Sequence, residues 1–134
     1  MNKIFCLSCE DPSYVFVYGA NMAGKHGASG AKHALQYHDA KWGATGLCGN
    51  SYGINTKDAK IKTLSLEKIQ WYIGIFLRYA ESAKDKKFFI TKIGTGLASY
   101  RDEDIAPMFK DAPENCVLAE SWKQIIKEMK GKQL

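Results

Sequence analysis

The stretch Tyr14-Val-Phe-Val-Tyr18-Gly19-Ala-Asn21 decides the reading of the fold. Its first five residues are all aromatic or β-branched, with no alternation of polar and apolar side chains. Such a run reads as a strand buried on both faces, as in a sheet covered front and back by helices. A glycine-rich turn follows at once, with Gly19, Gly24, Gly27 and Gly30 in twelve residues. A helix is then expected from about Ala28 to Tyr37, carrying Ala31, Ala34 and Leu35 on one face.

Working outward, the same sequence of events recurs. Phe88-Phe-Ile-Thr-Lys-Ile93 reads as a second strand and ends in Gly94-Thr-Gly-Leu-Ala-Ser-Tyr100. Between the two lies a further glycine-rich stretch, Trp42 to Gly53, which leads into a strand near Tyr52 to Thr56. Leu66, Ile69, Ile73, Phe76, Leu77 and Ala80 recur at three- and four-residue spacing and predict a helix over Leu64 to Ala83. A short helix is expected from Asp104 to Lys110, with Asp104 as N-cap and Pro107 in the first turn. Cys116 to Ala119 reads as a short strand. Glu120 to Met129 reads as an amphipathic helix with Trp122, Ile125, Ile126 and Met129 on its apolar side. Lys3 to Leu7 is expected to form a first strand. Alternating strands and helices predict one α/β domain over residues 1–134, a three-layer α/β/α sandwich around a mixed central sheet.

Composition narrows the function. The 134 residues are 46% hydrophobic and 25% charged, an ordinary globular balance that excludes a disordered chain. No apolar run approaches the roughly 20 residues needed to span a bilayer. Met1 to Leu7 has neither the apolar stretch nor the cleavage site of a secretory signal, so a cytoplasmic location and no membrane partner are expected. The net charge of +5 comes from scattered lysines, without the concentrated basic, aromatic-laced patch of a nucleic-acid binder. It suits a small anionic ligand. Cys6 and Cys9 form a C-x-x-C that runs into Glu10-Asp11-Pro12 rather than opening a helix, which argues against a thioredoxin-like site. Cys48 and Cys116 stand alone and supply no second ligand pair for zinc. The thiols read as buried or incidental, and neither metal nor cofactor is expected.

The two glycine-rich turns follow two strands, where ligands bind in open α/β sheets. Glycine lets the backbone approach a phosphate and turn several N–H groups onto one anion, and a helix N-terminus adds its positive end. There is no G-x-x-x-x-G-K-[ST], and Gly24-Lys-His-Gly-Ala-Ser-Gly30 lacks the G-x-G-x-x-G spacing of a dinucleotide fold.

Gly19-Ala-Asn21 with its glycine-rich turn, and later Ile93-Gly-Thr-Gly-Leu-Ala98, together resemble the macrodomain family of ADP-ribose-binding modules, over roughly Val15 to Phe109. The second loop is similar to that of macrodomains that release ADP-ribose from proteins. Tyr52-Gly-Ile-Asn-Thr-Lys57 resembles a strand of the same subgroup that ends in a functional lysine. The resemblance implies a macrodomain-like fold with a nucleotide diphosphate of ADP-ribose type as ligand, and an ADP-ribosylated protein as partner where the linkage is hydrolysed. Gly19, Ala20, Asn21, Gly24, Gly27, Ala28 and Gly30 would line one side. Gly94, Thr95, Gly96, Leu97 and Tyr100 would line the other. Asn21 and Lys57 would take the catalytic places, Asn21 on the distal ribose and Lys57 near its anomeric carbon.

The chain departs from that pattern at Ala98, where the hydrolysing subgroup carries an aspartate. Asp58 and Asp102 are the acids nearest in sequence that could stand in. The departure keeps open a non-catalytic sink or sensor of an NAD-derived nucleotide, and beyond it a structural protein whose glycines serve turns alone. His26 could contact phosphate or act as an acid, and reads equally as an exposed loop histidine. His33 and His38 read as structural, Trp122 as core, and Tyr100 as either an adenine-stacking or a packing side chain. Asp11 or Glu10 could receive an adenine amine.

Overall fold

The computed structural model describes residues 6–132. The chain is a mixed α/β protein whose five-stranded sheet has the order β2-β3-β1-β4-β5. Its elements are α1 (Leu7–Glu10), β1 (Tyr14–Asn21), α2 (Ser29–Tyr37), β2 (Gly46–Cys48), β3 (Ser51–Lys57), α3 (Leu66–Ser82), β4 (Lys87–Ile90), α4 (Asp102–Ile105) continued by a 3₁₀ turn (Ala106–Phe109), β5 (Cys116–Val117) and α5 (Glu120–Lys132). β1 pairs in parallel with β3 and β4, β4 in parallel with β5, and β2 forms an antiparallel edge on β3.

The side chains of β1 alternate between two buried clusters. Val15 and Val17 join Ile54, Ile69, Ile73, Phe76, Phe88, Ile105, Phe109 and Trp122 on one face. Phe16, Tyr18 and Ala20 join Cys6, Ala31, Ala34 and Ala40 on the other. The face each helix covers follows from handedness. The chain leaves β1 through α2 for β3 on one side, then returns through α3 to β4 on the opposite side. Parallel crossovers keep one hand, so a reversal of direction requires a change of face. The step from β4 to β5 continues the second direction, and its helical turns accordingly lie in the cluster of α3.

α3 buries Ile69, Ile73, Phe76 and Ala80, a stripe worth about 1.5–3 kcal/mol for each large side chain. Ser65 caps it, its hydroxyl accepting the Lys68 N–H at 3.2 Å. Asp104 lies in the third position of α4 instead of capping it, and its carboxylate accepts the Arg101 N–H at 3.0 Å. β1 runs three residues beyond Tyr18, so Gly19-Ala-Asn21 is strand and the turn begins later. β4 stops at Ile90, three residues short of the expected end. The expected strand at Lys3 to Leu7 falls largely outside the described residues, and Leu7 itself opens α1. Among the described residues no helix is long and apolar enough to cross a membrane.

Candidate functional site

The connection that follows β1 leads to β3 while the one that follows its neighbour β4 leads the opposite way to β5, and this opens a crevice at the carboxyl ends of β1, β3 and β4. A cleft of about 430 Å³ occupies it. Gly19, Ala20 and Asn21 line its floor, Gly27, Ala28, Ser29 and Gly30 one wall, and Lys92 to Ala98 the other. Lys57 lies at the end of β3, in register with Asn21 across a bulge, and both line the cleft. The two loops are close neighbours: a methyl group on Gly96 would lie 3.7 Å from the Ser29 hydroxyl oxygen.

The walls are rich in unspent donors. Ala28 stands at the N-cap of α2 and offers no side-chain cap, which leaves the first turn's N–H groups without an intrahelical partner. Among the described residues no protein group accepts from the N–H of Gly27, Ala28, Ser29, Gly30 or Ala31. The same holds for Gly94, Gly96 and Leu97 in the facing loop. Lys25, Lys57 and Lys92 also line the cleft, and among the described residues no carboxylate does. This is the electrostatic setting of an anion site.

Three of the expected residues have structural roles. The Asn21 carboxamide braces the loop that follows it, donating to the Lys25 carbonyl at 2.9 Å and accepting the Lys25 N–H at 3.0 Å. Gly24 lies outside the cleft. Its φ of +70° and its contact with the backbone of Gly43, 2.4 Å from the place of a Cβ, make it the joint between two loops. Tyr100 also lies outside: it packs against the core under α3, and its hydroxyl donates to the Leu64 carbonyl at 2.7 Å.

Asp58 and Asp102, the acids nearest to the loops in sequence, are both engaged by protein partners. Asp58 accepts from the N–H groups of Lys60 and Lys62, and the bond from Lys62 leads the causes that hold its carboxyl below the usual range. Asp102 accepts from the Trp122 indole at 2.8 Å and pairs with Lys92 at 3.6 Å. Asp11 accepts from the Ser13 N–H and hydroxyl at the start of β1, the opposite end of the strand from the cleft.

His26 is neither exposed nor a wall of the cleft. It is 2% exposed, and its Nε2 hydrogen-bonds the Tyr18 hydroxyl at 3.0 Å. Burial pushes the Tyr18 phenol up to about 12. Gly53 makes room for this bond, since a Cβ there would stand 2.8 Å from the Tyr18 hydroxyl oxygen. A local sequence pattern does not reveal that a histidine in a glycine-rich turn folds back over its own strand.

Lys25, Ser29, Thr56, Ile61, Thr91 and Lys92 line the cleft without having been singled out as site residues from the sequence. Ser29 and Ile61 have φ of +56° and +63°, a region that disfavours side chains, β-branched ones most of all. Both line the cleft. Ile61 is held there by the turn that Asp58 organises.

The chain matches no protein-family model, no curated protein and no solved structure.

Proposed function

We propose that the chain is a macrodomain-like, three-layer module that binds ADP-ribose or a related nucleotide-diphosphate sugar. In this reading the diphosphate lies between the start of α2 and the loop from Gly94 to Leu97, within reach of the lysine side chains. The observation that carries it is the pairing of two rows of unspent backbone N–H groups across one cleft that contains lysines and, among the described residues, no carboxylate. A diphosphate offers many acceptor oxygens and a double negative charge to such a lining.

Binding without turnover is the form best supported. A lysine that attacks a sugar carbon needs an acid or base beside it, and both nearby acids are already engaged, Asp58 by the Lys60 and Lys62 N–H groups and Asp102 by the Trp122 indole and Lys92. The register of Asn21 with Lys57 favours the second reading, release of ADP-ribose from modified protein.

Calorimetric titration tests the proposal. ADP-ribose should bind with micromolar affinity, on the order of −8 kcal/mol, and adenosine should give no measurable heat. Gly96→Val should abolish the ADP-ribose signal with little change in melting temperature, because Gly96 lies outside the left-handed region and a Cβ there meets only the Ser29 hydroxyl oxygen, at an ordinary contact distance of 3.7 Å. Equal responses to ADP-ribose and adenosine, or none to either, would reject the diphosphate site. Release of ADP-ribose from modified protein, lost in Lys57→Ala, would establish the hydrolytic reading instead.

A further inference from the structure

On the face of the sheet under α2, four potential metal ligands converge. Cys6 and Cys9 come from the turn of α1, which is closed by the Cys9 N–H on the Cys6 carbonyl at 3.1 Å. His33 and His38 come from α2. On an unbroken helix, residues five apart face directions about 140° apart. Here α2 ends at Tyr37, and His38 at its C-cap leaves helical geometry, with φ −130° and ψ 27°. Its ring thereby comes to 5.0 Å from that of His33.

We propose that Cys6, Cys9, His33 and His38 form a closed tetrahedral Zn²⁺ site that fastens the α1 segment to α2. The four ligand atoms all lie within 4.8 Å of one another. Cys9 Sγ is 3.3 Å from His33 Nε2 and 3.5 Å from His38 Nε2, and Cys6 Sγ is 3.6 Å from His38 Nε2. Zn–S bonds of ~2.3 Å and Zn–N bonds of ~2.0 Å at tetrahedral angles set S···N edges of about 3.5 Å. Three of the four S···N edges have about that length.

The donor set also fits. Two thiolates and two imidazoles suit zinc and leave it no open coordination position, as in structural sites. The spacing is C-x₂-C followed by H-x₄-H, and the 23 residues between the pairs hold β1 and the glycine-rich loop. Phe16 on β1 stacks on the His38 ring at 4.4 Å and 13°, which fixes the imidazole plane. The cluster lies apart from the anion cleft, which the other end of α2 lines. The site therefore stands or falls independently of the nucleotide reading.

The test is metal content and cobalt substitution on the full chain. Protein made in zinc-supplemented medium should carry about one zinc per chain. After chelation under reducing conditions, added Co²⁺ should give the sulfur-to-metal charge-transfer and intense d–d absorption of a tetrahedral thiolate site, abolished by one equivalent of Zn²⁺. Zinc should shield Cys6 and Cys9 from alkylation while the reactivity of Cys48 stays unchanged, a readout that needs no variant. In Cys9→Ser and in His33→Ala, with folding checked by circular dichroism, zinc affinity should fall at least tenfold, and chelator should no longer lower the melting temperature. Absence of zinc together with no tetrahedral cobalt spectrum would overturn the proposal. So would equal alkylation of Cys6 and Cys9 with and without zinc, or a Cys6–Cys9 disulfide as the resting form.

Discussion

Tyr18→Phe isolates one bond on which the first glycine loop depends. The substitution removes a single oxygen from a side chain with no exposed surface and creates no cavity larger than that atom. It takes away the partner of His26 Nε2, while His26 Nδ1 has none. The imidazole then remains buried with neither nitrogen bonded, at a cost of about 1–3 kcal/mol. With an unfolding entropy of ~2.1 cal/mol/K per residue, each kcal/mol lowers the melting temperature of a chain this size by about 3–4 °C. A fall of roughly 4–11 °C follows. Calorimetric or fluorescence melting measures it, and a cycle with His26→Ala separates the pairwise part. The double variant should be little worse than His26→Ala alone. A melting temperature within about 1 °C of the wild type would refute the bond. Additive effects in the cycle would refute the coupling.

Two further outcomes follow from the same loops and strands. Gly24→Ala should destabilise the chain by at least 1–2 kcal/mol, because a Cβ at φ +70° meets the Gly43 backbone at 2.4 Å; a melting curve at wild-type temperature would contradict this. Alkaline stability gives the second. Burial raises the Tyr18 phenol from 10 to about 12 and the Cys116 thiol from 9 to about 12. A raised folded value means stabilisation that is complete below the unfolded value and lost as the pH climbs to the folded one. The urea midpoint should therefore decline between pH 9 and 12, and Tyr18→Phe should flatten the part above pH 10. A midpoint constant over that range would refute the assignment.

What the sequence made legible was periodic or compositional. β1, β3, β4, α2, α3 and α5 all announce themselves through apolar runs or three- and four-residue spacing. The glycines mark the turns that line the cleft. What stayed hidden depends on distant partners. β2 has three residues, two of them Gly46 and Cys48, too few for any period to show. Gly24 reads like its neighbours until Gly43 is folded against it. Cys6 and Cys9 lacked a second ligand pair because His33 and His38 are brought to them only by the turn of the chain through β1. Ser29 and Ile61 carry no marker at all, since side chains of their type rarely occupy the left-handed region.

The sheet's margins carry a last consequence. Its outermost strands are three and two residues long, so little unpaired backbone is offered to a neighbouring molecule. Self-templating along an open edge, the usual route by which sheets recruit further copies into fibrils, finds almost no foothold here. Growth by that route should have to wait for global opening.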